Sequence, residues 1–324
     1  MSSSSVLRAS PATEPWIDCG KAVAAQFIVW HHLAHYGPLA PRVRAVLPRL
    51  IDWLDGRALL AVQVFLVMGG YLAARSLWPQ PGQPRITWPD WPRRMVQRWR
   101  RLMPMYLAAL LLALLCAALA RHGMADADTP AAPTLPQLAA NLSLLQDLAG
   151  QPALSAGLWY VAIDFQLFVL LAALAACVAL WCGRAEPAPW RGRLRTRARP
   201  PARAARWRSG AAIALLVGTA AAAIAVYNLD AAGDALAPYF FGSYALGVLA
   251  AWGRAGTHRL RWGALIAALA GAGLLLAWRD RLLLAALVAL WLLWQPARAA
   301  LAGARLRPLM VGLAAISYAL FLLH

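Results

Sequence analysis

Long apolar runs, separated by short polar segments, repeat along nearly the whole chain. About nine stand out, near residues 18–36, 58–77, 102–120, 158–181, 210–227, 236–252, 262–277, 281–295 and 308–324. Runs such as 102–120 and 158–182 are long enough to cross a hydrocarbon core of about 30 Å as a helix. Membrane strands alternate polar and apolar residues, and these runs do not, so the pattern predicts helices. The expectation is an all-α, polytopic membrane bundle. No convincing internal repeat is present, which weakens the case for a transporter built from repeated halves.

The segments between the runs predict a threading. Segment 79–101 carries Arg85, Arg93, Arg94, Arg98, Arg100 and Arg101, and segment 183–208 carries nine arginines against one glutamate. Segments 253–261 and 296–307 are also basic. They alternate with 121–157 (Asp126, Asp128, Asp147), 228–235 (Asp230, Asp234) and the short 278–280. The positive-inside rule puts the basic set and the N-terminus in the cytoplasm. Segment 37–57 fits less well, with Arg42, Arg44, Arg49 and Arg57 against two aspartates on the outer side. Within 121–157, the longest outer segment, 135–148 is expected as a short helix on the surface.

Composition adds little to this picture and excludes some function classes. The chain has 324 residues, 61% of them hydrophobic, with mean hydropathy +0.56 and net charge +18. In a soluble protein such a charge would suggest nucleic acid. Here the arginines sit between apolar spans, so orientation and lipid headgroup contact explain them and no nucleic-acid partner is expected. Lys21 is the one lysine, an arginine bias that associates with a GC-rich bacterial genome. The cysteines Cys19, Cys116, Cys177 and Cys182 have no metal-ligand spacing and imply no disulfide framework. Residues 1–15 read as a Ser-rich, disordered tail. The first run holds Lys21 and three histidines with no small-residue cleavage site, so it is expected to stay as an anchor. The remainder, 16–324, reads as one membrane domain.

Polar residues inside spans carry the candidate chemistry, because a charge at mid-bilayer costs about 2.5–3.5 kcal/mol on insertion scales. In the first span Lys21 and His32 are separated by ten residues. On a helix they return to within about 20° of one face, roughly 16 Å apart along the axis. Asp18 lies near that face and is placed to pair with Lys21 at i, i+3. The competing reading is that Lys21 snorkels to the interface and the histidines mark the opposite one. His31 and His35, at i, i+4, have the spacing of a metal pair, but nothing completes the set, and no metal is expected. In the fourth span Asp164 sits about two turns into an apolar helix, toward the outer half with His32 and Gln63; a structural hydrogen bond between helices is the alternative. Arg98 and Arg101 open the third span at its cytoplasmic end, where interfacial anchoring is the ordinary role.

Together these segments resemble the acyltransferase-3 family of integral membrane O-acyltransferases. That family's first helix carries an Arg or Lys, ten residues, then His, as Lys21 and His32 do; Ile17-Asp18 resembles the Leu-Asp that precedes the basic residue. The run from Val62 to Tyr71 is similar to a second-helix pattern Val-Asp-Leu-Phe-Phe-Val-Leu-Ser-Gly-Phe. Arg98, Arg101 and Pro104 match Arg-x-x-Arg-Ile-x-Pro, and Trp159, Asp164 and Gln166 follow the fourth-helix motif Trp-Ser-Leu-Ser-Val-Glu-Glu-Gln-Phe-Tyr. Ile316, Ser317, Tyr318 and His324 match the last motif. The departures are Gln63 for the family's Asp, Gly69 and Ala162 for its Ser positions, and Asp164 for its Glu. Family members have ten spans, so the ninth run reads as cut short.

The resemblance implies transfer of an acyl group, with acetyl expected, from a cytoplasmic acyl-CoA co-substrate to a hydroxyl of a sugar, glycolipid or cell-envelope glycan. No permanently bound cofactor is implied, and the setting is a bacterial inner membrane. Lys21, Arg98 and Arg101 are the expected donor-binding cations. His32 is the expected general base, its imidazole having an unperturbed pKa near 6.5. Asp164 or Asp18 would orient it, and an acyl-histidine is the variant mechanism. Gln63, Trp159, Gln166, Tyr318 and His324 are expected to line the site. The alternative class is a proton-coupled transporter or flippase of an envelope precursor, with His32, Asp164 and Lys21 as a relay.

Overall fold

The computed structural model describes residues 15–37, 39–123, 129–155, 157–181, 202–230 and 233–295, together with 312, 313, 316 and 322. The helices among them are α1 (Pro15–Tyr36), α2 (Ala40–Val46), α3 (Pro48–Arg57), α4 (Val62–Leu77), α5 (Trp91–Gly123), α6 (Leu135–Ser143), α7 (Leu158–Trp181), α8 (Ala202–Ala225), α9 (Ala237–Ala255), α10 (Arg259–Leu276) and α11 (Asp280–Trp294). A helix therefore lies on each of the first eight expected spans. The ninth falls largely outside the described residues, as do 1–14 and 182–201. Five helical stretches are by themselves long and apolar enough to cross a membrane: Pro48–Leu77, Trp91–Gly123, Leu158–Trp181, Arg206–Leu229 and Arg259–Leu276. The chain is an all-α, multi-pass membrane protein. The more polar α9 falls short of that measure for a physical reason: nearly all its residues from Tyr239 to Gly253 are buried by other helices. A helix surrounded by protein need not be apolar to lipid on every face.

The chain divides into two compact units, Met1–Ala61 with Gln295–Phe321 and Val62–Trp294 with Leu322–His324. In the first, α1 packs against α3 and the 3-10 turn Ala58–Ala61. Pro41 and Pro48 start α2 and α3, where a missing backbone N–H costs nothing. His31 Nδ1 donates to the Leu54 carbonyl at 3.2 Å. Asp55 takes His35 Nδ1 at 2.7 Å and Arg44 at 3.0 Å, and Arg44 also pairs with Asp52 at 3.0 Å. Both aspartates of segment 37–57 are therefore engaged by cations.

In the second unit α4 and α9 form the tightest helix pair. A Cβ on Gly70 would run into the Tyr244 backbone carbonyl, and one on Gly247 into that of Val67. Small residues let the backbones approach, which is how helices associate without a hydrophobic drive in lipid. Gln63 meets Ser243 at one end, and Trp252 Nε1 donates to the Trp78 carbonyl at the other, so α4 and α9 run parallel. Phe65 meets Tyr160, and Gly69 meets Asp164, so α7 runs parallel to both. These are the second, fourth and sixth spans, which an alternating thread requires to run the same way.

The polar segments sort to two ends of this unit as the alternation predicts. At one end Arg279 donates to the carbonyls of Ile224, Asn228 and Gly273, tying 226–236 to 277–280. Burial lowers the Arg279 pKa from its ordinary value, and the ring of carbonyls compensates the lost hydration. At the other end Gln80–Gln83, Ser209 and Ala255–Thr257 surround one cavity, bringing three basic segments together.

Segment 121–157 departs from expectation. Its helix exists as α6, closed by a capping box in which Thr134 Oγ1 accepts from Gln137 N and Thr134 N donates to Gln137 Oε1. Leu135, Leu142, Leu145 and Leu148 are exposed, as a surface helix requires, but the other side is held by the bundle. Tyr106 Oη donates to the Asn141 carbonyl at 3.0 Å, Trp99 Nε1 to that of Leu142 at 3.2 Å, and Gln166 Nε2 to that of Leu144 at 3.1 Å. Tyr106 lies 17 residues, about 25 Å of helix, before the end of α5. Gln166 lies eight residues, about 12 Å, inside α7. The segment therefore re-enters the bundle. Irregular backbone is tolerated at such depth only where protein satisfies it. Asn141, fully buried, does much of this: Nδ2 donates to the Gln137 and Pro152 carbonyls and Oδ1 accepts from Leu154 N. Leu144 ends α6 at φ 61°, a left-handed conformation rare for leucine, and is fully buried.

Candidate functional site

Asp164 is the natural starting point, since a carboxylate among the buried Val161, Ile163 and Leu167 requires a partner. Arg98 of α5 supplies it, donating to Oδ2. Phe168 lies one turn beyond Asp164 on the same face of α7, and the Arg98 guanidinium sits 5.1 Å from its ring centre. Carboxylate and ring thus hold the cation between them. The Arg98 Nε is buried and has no hydrogen-bond partner among the described residues.

The other face of the carboxylate is set by Gly69 and Tyr244. A Cβ on Gly69 would stand 3.2 Å from Asp164 Oδ1 and 3.2 Å from Tyr244 Cε2. The family pattern has Ser at this position, so the missing side chain is what lets ring and carboxylate converge. Tyr244 is fully buried, and its hydroxyl has no hydrogen-bond partner among the described residues. A buried, unsatisfied hydroxyl costs about 1–3 kcal/mol and calls for an explanation. Beside it, Ser243 Oγ donates to Gln63 Oε1 at 2.7 Å.

The structure brings Asp164 and Arg98 together, whereas the sequence reading separated them by depth. The physical reason is that a long arginine side chain near the start of α5 reaches the one carboxylate of α7. Gln63 and Gln166 are buried and each is committed to a hydrogen bond within the unit. Trp159 packs against Tyr160 and Phe240. Arg101 is exposed. Tyr318 and His324 lie outside the described residues.

In the first unit α1 is unbroken from Pro15 to Tyr36, so Lys21 and His32 keep the one-face spacing. Both are half-buried, and the His32 ring stacks on Tyr36 at 5.7 Å. Asp18 is buried, and its Oδ2 has no hydrogen-bond partner among the described residues. His31 and His35 stack at 5.7 Å with Nδ1 of each already engaged.

Sequence reasoning missed Tyr244, Phe168 and Asn141. Tyr244 stands in an otherwise apolar run and carries no motif; only its neighbours in space single it out. Asn141 had a usable signal, an amide in the middle of a short apolar helix.

A family comparison matches residues 14–324 to the acyltransferase domain of the acyltransferase-3 family. Comparisons with curated proteins and with solved structures find no match. With a match over nearly the whole length, on an all-α membrane bundle, the chain belongs to the acyltransferase-3 family of membrane acyltransferases.

Proposed function

We propose that this acyltransferase moves an acyl group, acetyl in the first instance, from cytoplasmic acyl-CoA to a hydroxyl of a sugar or cell-envelope glycan. The setting is a bacterial inner membrane, with the N-terminus and the arginine-rich segments in the cytoplasm. The observation that carries this reading is the buried polar cluster of Asp164, Arg98 and Tyr244 in a family of acyltransferases.

The chemistry divides among the residues. His32 removes the proton from the acceptor hydroxyl as its oxygen attacks the thioester carbonyl carbon. The C–S bond breaks, the new C–O bond remains, and the CoA thiolate takes the proton back from the imidazolium. Asp164, and Asp18 on the helix of His32, are the carboxylates assigned to offset the imidazolium charge. Arg98 pairs with Asp164 and holds the carboxylate in place. The Tyr244 hydroxyl, without a hydrogen-bond partner among the described residues, donates to the oxygen that gains charge as the carbonyl is attacked. Lys21 and Arg101 supply further cations along the path of the anionic donor.

Membranes containing the protein, given acetyl-CoA, test the reading by release of the CoA thiol. Release well above that of membranes lacking the protein, and lost in His32→Ala, supports it. Equal release with and without the protein speaks for a transporter or flippase instead.

A further inference from the structure

We infer that the cavity at the basic end of the second unit is a docking site for a phosphorylated adenine nucleotide, the nucleotide end of the CoA donor. This rests on the proposed donor only for the nucleotide's source. The cavity is about 270 Å³ and is lined by Gln80, Gln83, Ser209, Trp252, Thr257 and Trp262 among others. Its chemistry suits such a ligand in three respects.

The first is an aromatic wall. Trp252 is anchored from below by its bond to the Trp78 carbonyl, 2.7 Å, and by an edge-on contact with Trp78 at 4.9 Å. Trp262 meets Trp252 edge-on at 5.9 Å and is itself half-exposed to the cavity. A fixed, partly exposed indole is a stacking surface for a purine. The second is the amide and hydroxyl rim. Gln80, Gln83 and Thr257 are exposed and offer donors and acceptors for a base edge or ribose.

The third is charge. Arg208 precedes Ser209 in the chain, and its Cβ lies 3.5 Å from where a Gly82 Cβ would stand. Arg254 and Arg259 flank the Ala255–Thr257 wall. No Asp or Glu occurs in 75–89, 202–229 or 237–279, the segments that build the cavity. A pocket walled by three segments with arginines and no carboxylate attracts anions from solution.

Position fits as well. Trp78 and Trp252 lie nine and eight residues beyond Gly69 and Tyr244 on parallel helices. The cavity floor is therefore about 12–13 Å along the bundle from the buried cluster. An extended pantetheine arm covers that span, so a nucleotide held here leaves the thioester free to reach the cluster.

The test is calorimetry on the full chain in detergent, with adenosine 3′,5′-bisphosphate, coenzyme A and pantetheine as probes. Wild type is expected to bind the bisphosphate saturably. The double variant Gln83→Glu/Thr257→Glu, at exposed positions, is expected to bind it and coenzyme A at least about tenfold more weakly, with pantetheine unchanged. Absence of bisphosphate binding in wild type, or binding unaffected in the variant, overturns the site. Parallel loss of pantetheine binding also overturns it. Bisphosphate binding that needs Gln83 and Thr257, in a protein that does not consume acyl-CoA, keeps the site, assigns it to a free nucleotide, and refutes the donor reading alone.

Discussion

Arg98 and Asp164, 66 residues apart in the chain, form an ion pair inside the helical bundle, with the cation also resting on Phe168. Removing one partner of such a pair leaves an uncompensated buried charge, which costs about 3–5 kcal/mol. Arg98→Met and Asp164→Leu are each expected to lower the melting temperature in detergent. The double variant should be more stable than either single one and still inactive. Activity returning with stability in the double variant would show the pair to be structural only.

Tyr244 presents the opposite case. Its hydroxyl is buried without a partner among the described residues, so Tyr244→Phe removes a group that folding does not use. Melting temperature should stay the same or rise. Transfer rate should fall by about 10²-fold or more if the hydroxyl serves the developing oxyanion. A rate equal to wild type would remove Tyr244 from the mechanism.

Much of the fold was legible because a membrane span declares itself by length and apolarity. The ends of the fourth expected span, 158–181, coincide with α7, and the charge alternation reproduced which segments share an end of the second unit. The re-entry of 135–154 was not legible. Its depth is set by distant partners, Tyr106 and Gln166, that satisfy its backbone, and local composition does not reveal them. The site was legible as residue types, Asp164 and Arg98, but not as a pair, since helix periodicity fixes a face and not which long side chain reaches across. Tyr244 was invisible because a tyrosine in an apolar run is ordinarily core.

Asn141 pins the re-entrant segment by three hydrogen bonds from one side chain. Asn141→Leu keeps the volume and loses all three. Amides from Leu144 to Leu154 should exchange with deuterium faster in the variant, while those of α9 should not. Unchanged exchange in this stretch would mean that packing alone holds the segment in place.

Gly70 and Gly247 allow α4 and α9 to touch through their backbones. Gly247→Val inserts a side chain against the Val67 carbonyl, and overpacking of this kind costs about 1–3 kcal/mol. Gly218, where an added Cβ meets nothing within 4 Å, is the control. Gly218→Ala should leave yield and melting temperature unchanged while Gly247→Val lowers both; equal behaviour of the two would contradict the close α4–α9 packing.

Acyl transfer with His32 as the base is open to direct test. Membranes carrying wild type or His32→Ala, incubated with acetyl-CoA labelled in the acetyl carbons, give its most direct measurement as label recovered in ester linkage to carbohydrate. Incorporation is expected with wild type and a loss of about 10²–10⁴-fold in His32→Ala, with the variant protein present at normal level. Incorporation by His32→Ala at the wild-type rate would contradict it.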